Sequence, residues 1–588
     1  MEKNTLIAVI LSVVVITVGF MIQNALFPPD DFGPEVTSPA QERPVEESPA
    51  GERRERETTQ TVEPLPDVER VVGTVEPAPD HEPARKEPHT LRTDLLRVTF
   101  DPRGAVITSF QLLEHRDGDD PVEMVKQGTG TDAGFTLHFG DADSPVVDAA
   151  FHRRDTTGSN EIEFYRDFLV HRDSNNGEDP IRFRVRRIYR FKDGEYLVEA
   201  DTVFENLSGG AVPLNFSGIA YTIGLGPQIG PSFKELDGRN EYRRFAHYDG
   251  DRTRYENLSA GEEEVLDRRI NWTAIVGKYF AVAVVPGTVE YEVTFAKEDV
   301  SGLVEGAQLF LSRPVIRSQY QTDTLRYYVG PRTDYAVRYN IASDNAFAAR
   351  NLELDEMVQS RFLLGWLENI LKFFLNIIYG VVPNYGIAII LLTILVKLAT
   401  APLTRKSYES MGRMQELAPK IQEIKEKHGD NPQKMNQMTA DLYKKEGVNP
   451  LGGCLPMLLQ FPFFIAMFGL FNNHFDLRGA VFIPGWITDL AAPESILNFG
   501  DFTLPLLGWN DLRLLPIVFV ATQLLSTKFM QTPSAQGGQM KMMTYMLPVV
   551  FFFVLYNMPS GLLVYWIFSN LLQVGQQVLT KRRKLQSA

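Results

Sequence analysis

Cysteine is almost missing: Cys454 is the only one in 588 residues, which excludes an intramolecular disulfide and a cysteine-rich metal site. A lipid-modified cysteine near the start is excluded with them, and Cys454 is assigned no chemistry. No Gly-x-x-x-x-Gly-Lys-[Ser/Thr] segment occurs, so the usual loop that cradles nucleotide phosphates is absent. No Asp or Glu falls in any apolar run of the last two hundred residues, where an ion-coupled transporter would be expected to carry one. Histidine is sparse, and His115, His138, His152, His171 and His247 show no spacing that marks a metal site or a catalytic pair; scattered surface positions are expected for them.

What is present is unevenly distributed. Mean hydropathy is only -0.14, yet apolar runs long enough to cross a bilayer crowd into the first twenty-five residues and the last two hundred. Charge divides at the same place. Residues 361–588 hold 20 of the 59 Lys and Arg and 13 of the 74 Asp and Glu, giving +7 and leaving -22 for residues 1–360. A strongly acidic soluble part argues against nucleic acid as its ligand.

Along the chain, Leu6–Leu26 is an apolar run of about 20 residues, preceded by Lys3 and followed by Asp30 and Asp31, which predicts a membrane anchor over 1–27 with a cytoplasmic N-terminus. A cleaved signal peptide is the alternative, but the run is longer than a usual signal core and no small-residue cleavage pattern follows. Residues 28–90, dense in Pro, Glu, Arg and Thr, bury too little surface to offset chain entropy and read as a disordered tether. From 91 to 345 the pattern becomes short alternating segments such as Leu95–Phe100, Ile162–Val170, Ile181–Phe191 and Tyr196–Phe204, separated by Gly, Asp, Asn and Pro. These predict a large antiparallel β-sandwich exported to the outer face.

Residues 361–380 place Leu363, Trp366, Leu367, Ile370, Leu371, Phe374, Ile377 and Ile378 at helical spacing opposite Arg361, Glu368, Asn369, Lys372 and Asn376, as an amphipathic helix on the membrane surface does. A core of five spans follows over 384–580: Tyr385–Leu403, Leu451–Phe471, Leu512–Phe529, Met542–Tyr556 and Leu562–Leu579. The Lys- and Arg-rich connection 405–450 and the tail 581–588 fall inside and the acidic Phe475–Asp511 connection outside, so both chain ends are cytoplasmic. Within 405–450, Met411, Met414, Leu417, Ile421 and Ile424, then Met435, Met438 and Leu442, give two amphipathic helices divided by Gly429-Asp430-Asn431-Pro432. This hairpin, with Met411, Met414, Leu417, Met435 and Met438 as pliable apolar contacts, is a candidate for capturing varied apolar segments.

Polar side chains inside the bilayer are expensive and turn toward protein or water. Thr393, Lys397, Thr400 and Thr404 share one face of the second span; Tyr565, Ser569, Gln573, Gln576 and Thr580 share one face of the last. Gln460 lies midway along the third, and Thr522 and Ser526 share a face of the fourth. Ser, Thr and Gln commonly just bridge packed helices. Lys397 is different, because no carboxylate in the five spans can pair with it; it needs water, a phosphate or a visiting carboxylate. The competing reading is snorkelling, since Lys397 stands eight residues before Arg405, roughly 12 Å by helical rise.

The stretches Lys444–Phe464 (KKEGVNPLGGCLPMLLQFPFF), Ala401–Thr404 (APLT), Gln415–Ile424 (QELAPKIQEI) and Met558–Asn570 (MPSGLLVYWIFSN) resemble the YidC/Oxa/Alb insertase family, over about residues 361–580. The anchor and large β domain resemble the Gram-negative YidC arrangement, whose external domain is a periplasmic β-supersandwich. The resemblance implies a multi-pass protein of the bacterial inner membrane that inserts and chaperones other membrane proteins through a hydrophilic groove, with no enzymatic reaction and no cofactor. Its implied partners are nascent membrane proteins, the Sec translocon, the ribosome and membrane lipids. The family's groove arginine corresponds to Lys397 here, with Thr393, Gln460, Tyr565 and Trp566 on other groove-matching positions; Thr400 and Ser569 join them by their place on the stripes. Lysine keeps the charge but not the planar fork. Two other classes compete: a secondary transporter, which would show an internal repeat or intramembrane carboxylates, and a membrane-anchored envelope enzyme acting on carbohydrate, which leaves the hairpin and Lys397 unexplained.

Overall fold

The computed structural model of the chain describes residues 74–79, 84, 86–126, 133–155, 160–171, 179–226, 230–231, 242–266, 269–298, 306–358, 364–429, 431–447, 455–500, 502–504, 509–530 and 538–587. The expected anchor, most of the tether, Arg361–Leu363, Cys454 and the Leu451 end of the third expected span lie outside these residues.

Alternation of apolar and polar residues does what it should in the first half of the described chain. In the strand Leu96–Asp101, Leu96, Val98 and Phe100 are buried and the residues between them are not. Strands Glu161–Val170, Ile181–Arg190 and Leu197–Asn206 pair antiparallel in succession, and the last pairs with Tyr320–Pro331, Leu197 standing opposite Tyr328 and Glu205 opposite Tyr320. They belong to a ten-stranded sheet, which packs with a five-stranded and a four-stranded sheet around one apolar core containing Phe100, Phe110, Phe164, Tyr189, Trp272 and Tyr328. The Phe100 and Tyr189 rings lie 5.0 Å apart.

The sandwich is longer than its sequence pattern suggests. Val75–Pro77, inside the stretch read as tether, pairs with Phe168–Val170, and His89–Arg92 crosses the 90/91 boundary to pair with Arg97–Phe100. A three-residue strand that ends on Pro77 carries too little apolar sequence to be seen alone; the open edge of Glu161–Val170 recruits it. Past residue 345, Leu352, Leu354 and Met357 still belong to the same core, with Trp272 Nε1 donating to the Glu353 carbonyl at 2.9 Å. The histidines also differ from expectation: His138 and His247 are buried, and His138 sits between Thr136 Oγ1 at 3.0 Å and the Ser144 carbonyl at 2.6 Å.

Eight helices are described after the sandwich: α1 Gly365–Val381, α2 Tyr385–Glu416, α3 Ala418–His428, α4 Pro432–Lys445, α5 Leu455–Asn473, α6 Leu515–Met530, α7 Gly538–Leu555 and α8 Ser560–Ser587. α1 buries Leu367, Leu371 and Leu375 and leaves Trp366, Ile370, Phe373, Ile377 and Val381 exposed as a bare apolar stripe. α2 is one helix of 32 residues, where a span and a separate hairpin helix were expected. At 1.5 Å per residue it is about 48 Å long, more than the roughly 30 Å hydrocarbon thickness. Among the described residues Tyr385–Pro402 is the one stretch of 18 residues apolar enough to cross; Leu515–Lys528 and Met546–Leu555 are apolar but shorter. Leu512, expected to open a span, instead pairs with Leu497 in a two-stranded ladder. α6 begins at Leu515, where Pro516 suits the first turn because its missing N–H would have no helical acceptor there.

Sandwich and helices meet at a seam. Phe475, in the turn that leaves α5, packs into the sandwich core with ring centroids 4.9 Å from Phe280, 5.2 Å from Tyr279 and 6.0 Å from His115. Burial lowers the His115 imidazole to about 4 and that of His474 to about 3, Lys372 adding to both, so both rings are neutral at ordinary pH. Burial raises the Asp476 carboxyl, against the opposing pull of Lys372.

Candidate functional site

α8 is the centre of the helical part: it packs most extensively against α6 and α2, while α5 touches α2 and α8 only sparsely. On α2, Ile387, Leu391, Leu395 and Leu398 form an exposed apolar face, and Ala388, Ile389, Leu392, Thr393 and Val396 turn inward. Lys397 is half-buried beside that inward face. Among the described residues no hydrogen bond or ion pair reaches its ammonium.

The threonine stripe of α2 is spent on its own helix. Thr393 Oγ1 donates to the Ile389 carbonyl at 2.7 Å, Thr400 Oγ1 to the Val396 carbonyl at 2.8 Å and Thr404 Oγ1 to the Thr400 carbonyl at 3.1 Å. Hydroxyls satisfied in this way are cheap inside a bilayer and do not bind Lys397 in place. Of the other expected site residues, the structure brings Gln460 and Ser569 together: Gln460 Nε2 donates to Ser569 Oγ at 2.9 Å, joining α5 to α8. Tyr565 is buried. Trp566 packs in an aromatic cluster, its ring 4.5 Å from Phe464, 4.8 Å from Phe519 and 5.5 Å from Phe551, which knits α5, α6, α7 and α8 together.

A second bridge went unseen in the sequence. Asn570 Nδ2 donates to Gln523 Oε1 at 2.9 Å, joining α8 to α6. Each of the two residues lies one position past a stripe residue, Ser569 or Thr522, and so 100° around the helix, which periodicity reads as a different face. Polarity alone, an Asn and a Gln inside apolar helices, was the available signal.

In the hairpin α3–α4, Asn431 accepts from the Lys434 backbone N–H at 3.1 Å and caps α4. Met414, Leu417 and Tyr443 are buried against one another with Ile421 at the rim. Met414, near the end of α2, and Leu417, just before α3, expected to offer apolar surface to other chains, instead pack on Tyr443 of α4 and form a small core at the base of the hairpin. Met438 is exposed and Met435 half-buried; the Met411 side chain lies outside what the structure describes.

Residues 89–375 match the family described as YidC periplasmic domain, and residues 377–587 the family described as 60Kd inner membrane protein. A membrane protein insertase YidC of Treponema denticola is 36% identical, with 99% of each chain covered. The chain belongs to the YidC membrane protein insertase family. YidC relatives of Treponema pallidum, 33% identical with 99% of each chain covered, and of Pelobacter propionicus, 31% identical with 98% of each covered, agree. The two family matches meet inside α1, so the sandwich falls in the one described as YidC periplasmic domain and the helices after α1 in the one described as 60Kd inner membrane protein.

Proposed function

We propose that the chain inserts other membrane proteins into the inner membrane and helps them fold, with the α2 face that carries Lys397 as the path for a client's polar segment. The observation that supports this reading most is the half-buried ammonium without a partner among the described residues. A cation kept at that depth attracts the acidic groups of an incoming chain and holds water near them, which shortens the dry distance they must cross. In this reading Thr400 and Gln460, both half-buried, supply the polar border of this groove, Thr393, Ser569 and Tyr565 lie buried behind it, and Met438 with Met435 gives the first apolar contact on the cytoplasmic side.

The driving force is burial of the client's apolar span in lipid, about 0.8 kcal/mol per CH₂, so no nucleotide, cofactor or covalent step is required. In this reading the chain crosses the membrane six times with both ends in the cytoplasm, and the hairpin meets nascent chains there, beside the ribosome or the Sec translocon. The test is proteoliposome insertion of a single-span client by the purified full chain, without ATP and without translocon, scored by protease protection. Protection no greater than in empty liposomes would overturn the proposal.

A further inference from the structure

Between the sandwich and α1 lies a small, partly enclosed recess lined by Lys278 and Arg332 of the sandwich, Glu368 and Lys372 of α1, and Asn473 and His474 at the end of α5. Its charge is unbalanced, three cations facing one carboxylate. The Arg332 guanidinium is fixed, donating to the Met357 carbonyl at 2.7 Å, the Gly277 carbonyl at 2.6 Å and Tyr242 Oη at 2.9 Å. Lys278 lies over the Tyr279 ring at 5.0 Å. Glu368 is turned toward α5, where Asn473 Nδ2 donates to it at 3.3 Å and where a Cβ on Gly469 would meet its Oε2 at 2.5 Å.

Lys372 is the odd member. Half-buried, it makes no hydrogen bond or ion pair among the described residues; Asp476, half-exposed, is near enough to feel its charge but does not pair with it. Its neighbours His115 and His474 are neutral, and His474 Nε2 is within 3.2 Å of Asn376 Oδ1. An ammonium so placed has its three N–H donors available to an anion that enters the recess. The same helix carries, on its other side, the bare stripe Trp366, Ile370, Phe373, Ile377 and Val381, which puts α1 at the boundary between hydrocarbon and headgroups.

We propose that this recess binds a phosphate-bearing anion through Lys372, with Lys278 and Arg332 supplying the surrounding positive field. An acidic phospholipid headgroup of the outer leaflet and a soluble phosphate share that chemistry. The lipid source rests on the proposed insertase reading, with α1 on the membrane surface as its sequence predicts; the soluble source does not.

The test uses the purified full chain, unmodified and as Lys372→Gln and Lys372→Arg, and needs no insertion assay, so its failure is separate from failure of the insertase reading. Retention of phosphatidylglycerol against phosphatidylcholine is read by native mass spectrometry, and binding of inorganic phosphate by titration of the thermal midpoint. Unmodified protein and Lys372→Arg should retain phosphatidylglycerol preferentially, and Lys372→Gln about tenfold less, the loss of one charged hydrogen bond. Phosphate that raises the midpoint only where residue 372 is cationic, with no lipid preference, assigns the site to a soluble anion. Unmodified protein that shows neither a lipid preference nor a phosphate effect overturns the proposal, whether or not Lys372→Gln folds. So does equal binding by Lys372→Gln and unmodified protein.

Discussion

Arg478 Nη1 donates to Asp117 Oδ1 at 2.8 Å, although 361 residues separate them. With Phe475 seated three residues earlier in the core of the sandwich, this pair fastens the outer end of α5 to the hairpin that ends the strand Val106–Asp117.

Phe475→Ala should loosen this fastening most. Removing a buried phenyl ring costs about 3–5 kcal/mol, and the lost contacts are those with Tyr279, Phe280 and His115. The partly exposed Arg478→Ala should cost about 1 kcal/mol or less. Protease cleavage at 475–481 and the thermal midpoint measure both, and equal behaviour of the two variants would mean that the ring does not carry the docking.

The seam should weaken as pH falls. His115 and His474 titrate near 6.5 in the unfolded chain but near 4 and 3 when buried, so between those values the unfolded state binds more protons and stability drops with falling pH. Above 6.5 their contribution is complete. Asp476, whose carboxyl is raised, works in the opposite sense, its penalty fading as acid neutralises it. Hydrogen exchange in the seam at pH 7.5 and 5 tests this: protection should fall at pH 5, and His115→Phe should flatten the dependence.

Lys397 should act through its charge. Lys397→Arg should retain insertion, whereas Lys397→Ala should reduce it several-fold for a client with an acidic translocated tail and less for the same client with a neutral tail. Matched clients in proteoliposomes at equal protein levels give the comparison. Equal activity of Lys397→Ala and unmodified protein on the acidic client would leave Lys397 a snorkelling anchor.

In the hairpin, the structure separates two kinds of apolar residue. Leu417→Ala should melt the α3–α4 pair, costing about 2–5 kcal/mol for a buried leucine, while Met438→Ser should leave it folded. Crosslinking of a client to a photoprobe at the exposed Gln437 should drop in both, and helix content only in the first. A Met438→Ser variant that crosslinks clients normally would place capture elsewhere.

Family, fold class and helix faces were legible in the sequence because they rest on one-dimensional signals. The alternation in Leu96–Asp101 marks a half-buried strand, the spacing of Leu367, Ile370, Leu371 and Phe374 an amphipathic helix, and the motif around Met558–Asn570 a known family. Element ends were less legible. Leu512 continues an apolar run, but the backbone there pairs with Leu497, and only the position of Pro516 hinted that the helix began later.

The sequence by itself determined which residues are costly to bury, and so singled out Lys397, Gln460 and Ser569 before any contact was known. Only the tertiary structure decided which of them meet. Gln460 bonds Ser569 and Asn570 bonds Gln523 because α8 lies against both α5 and α6, and Arg478 reaches Asp117 because Phe475 is drawn into an apolar core assembled from strands hundreds of residues away. Periodicity fixes the face of a helix, since it follows from local backbone geometry; the partner of that face is set by long-range packing, which leaves no periodic trace in the chain.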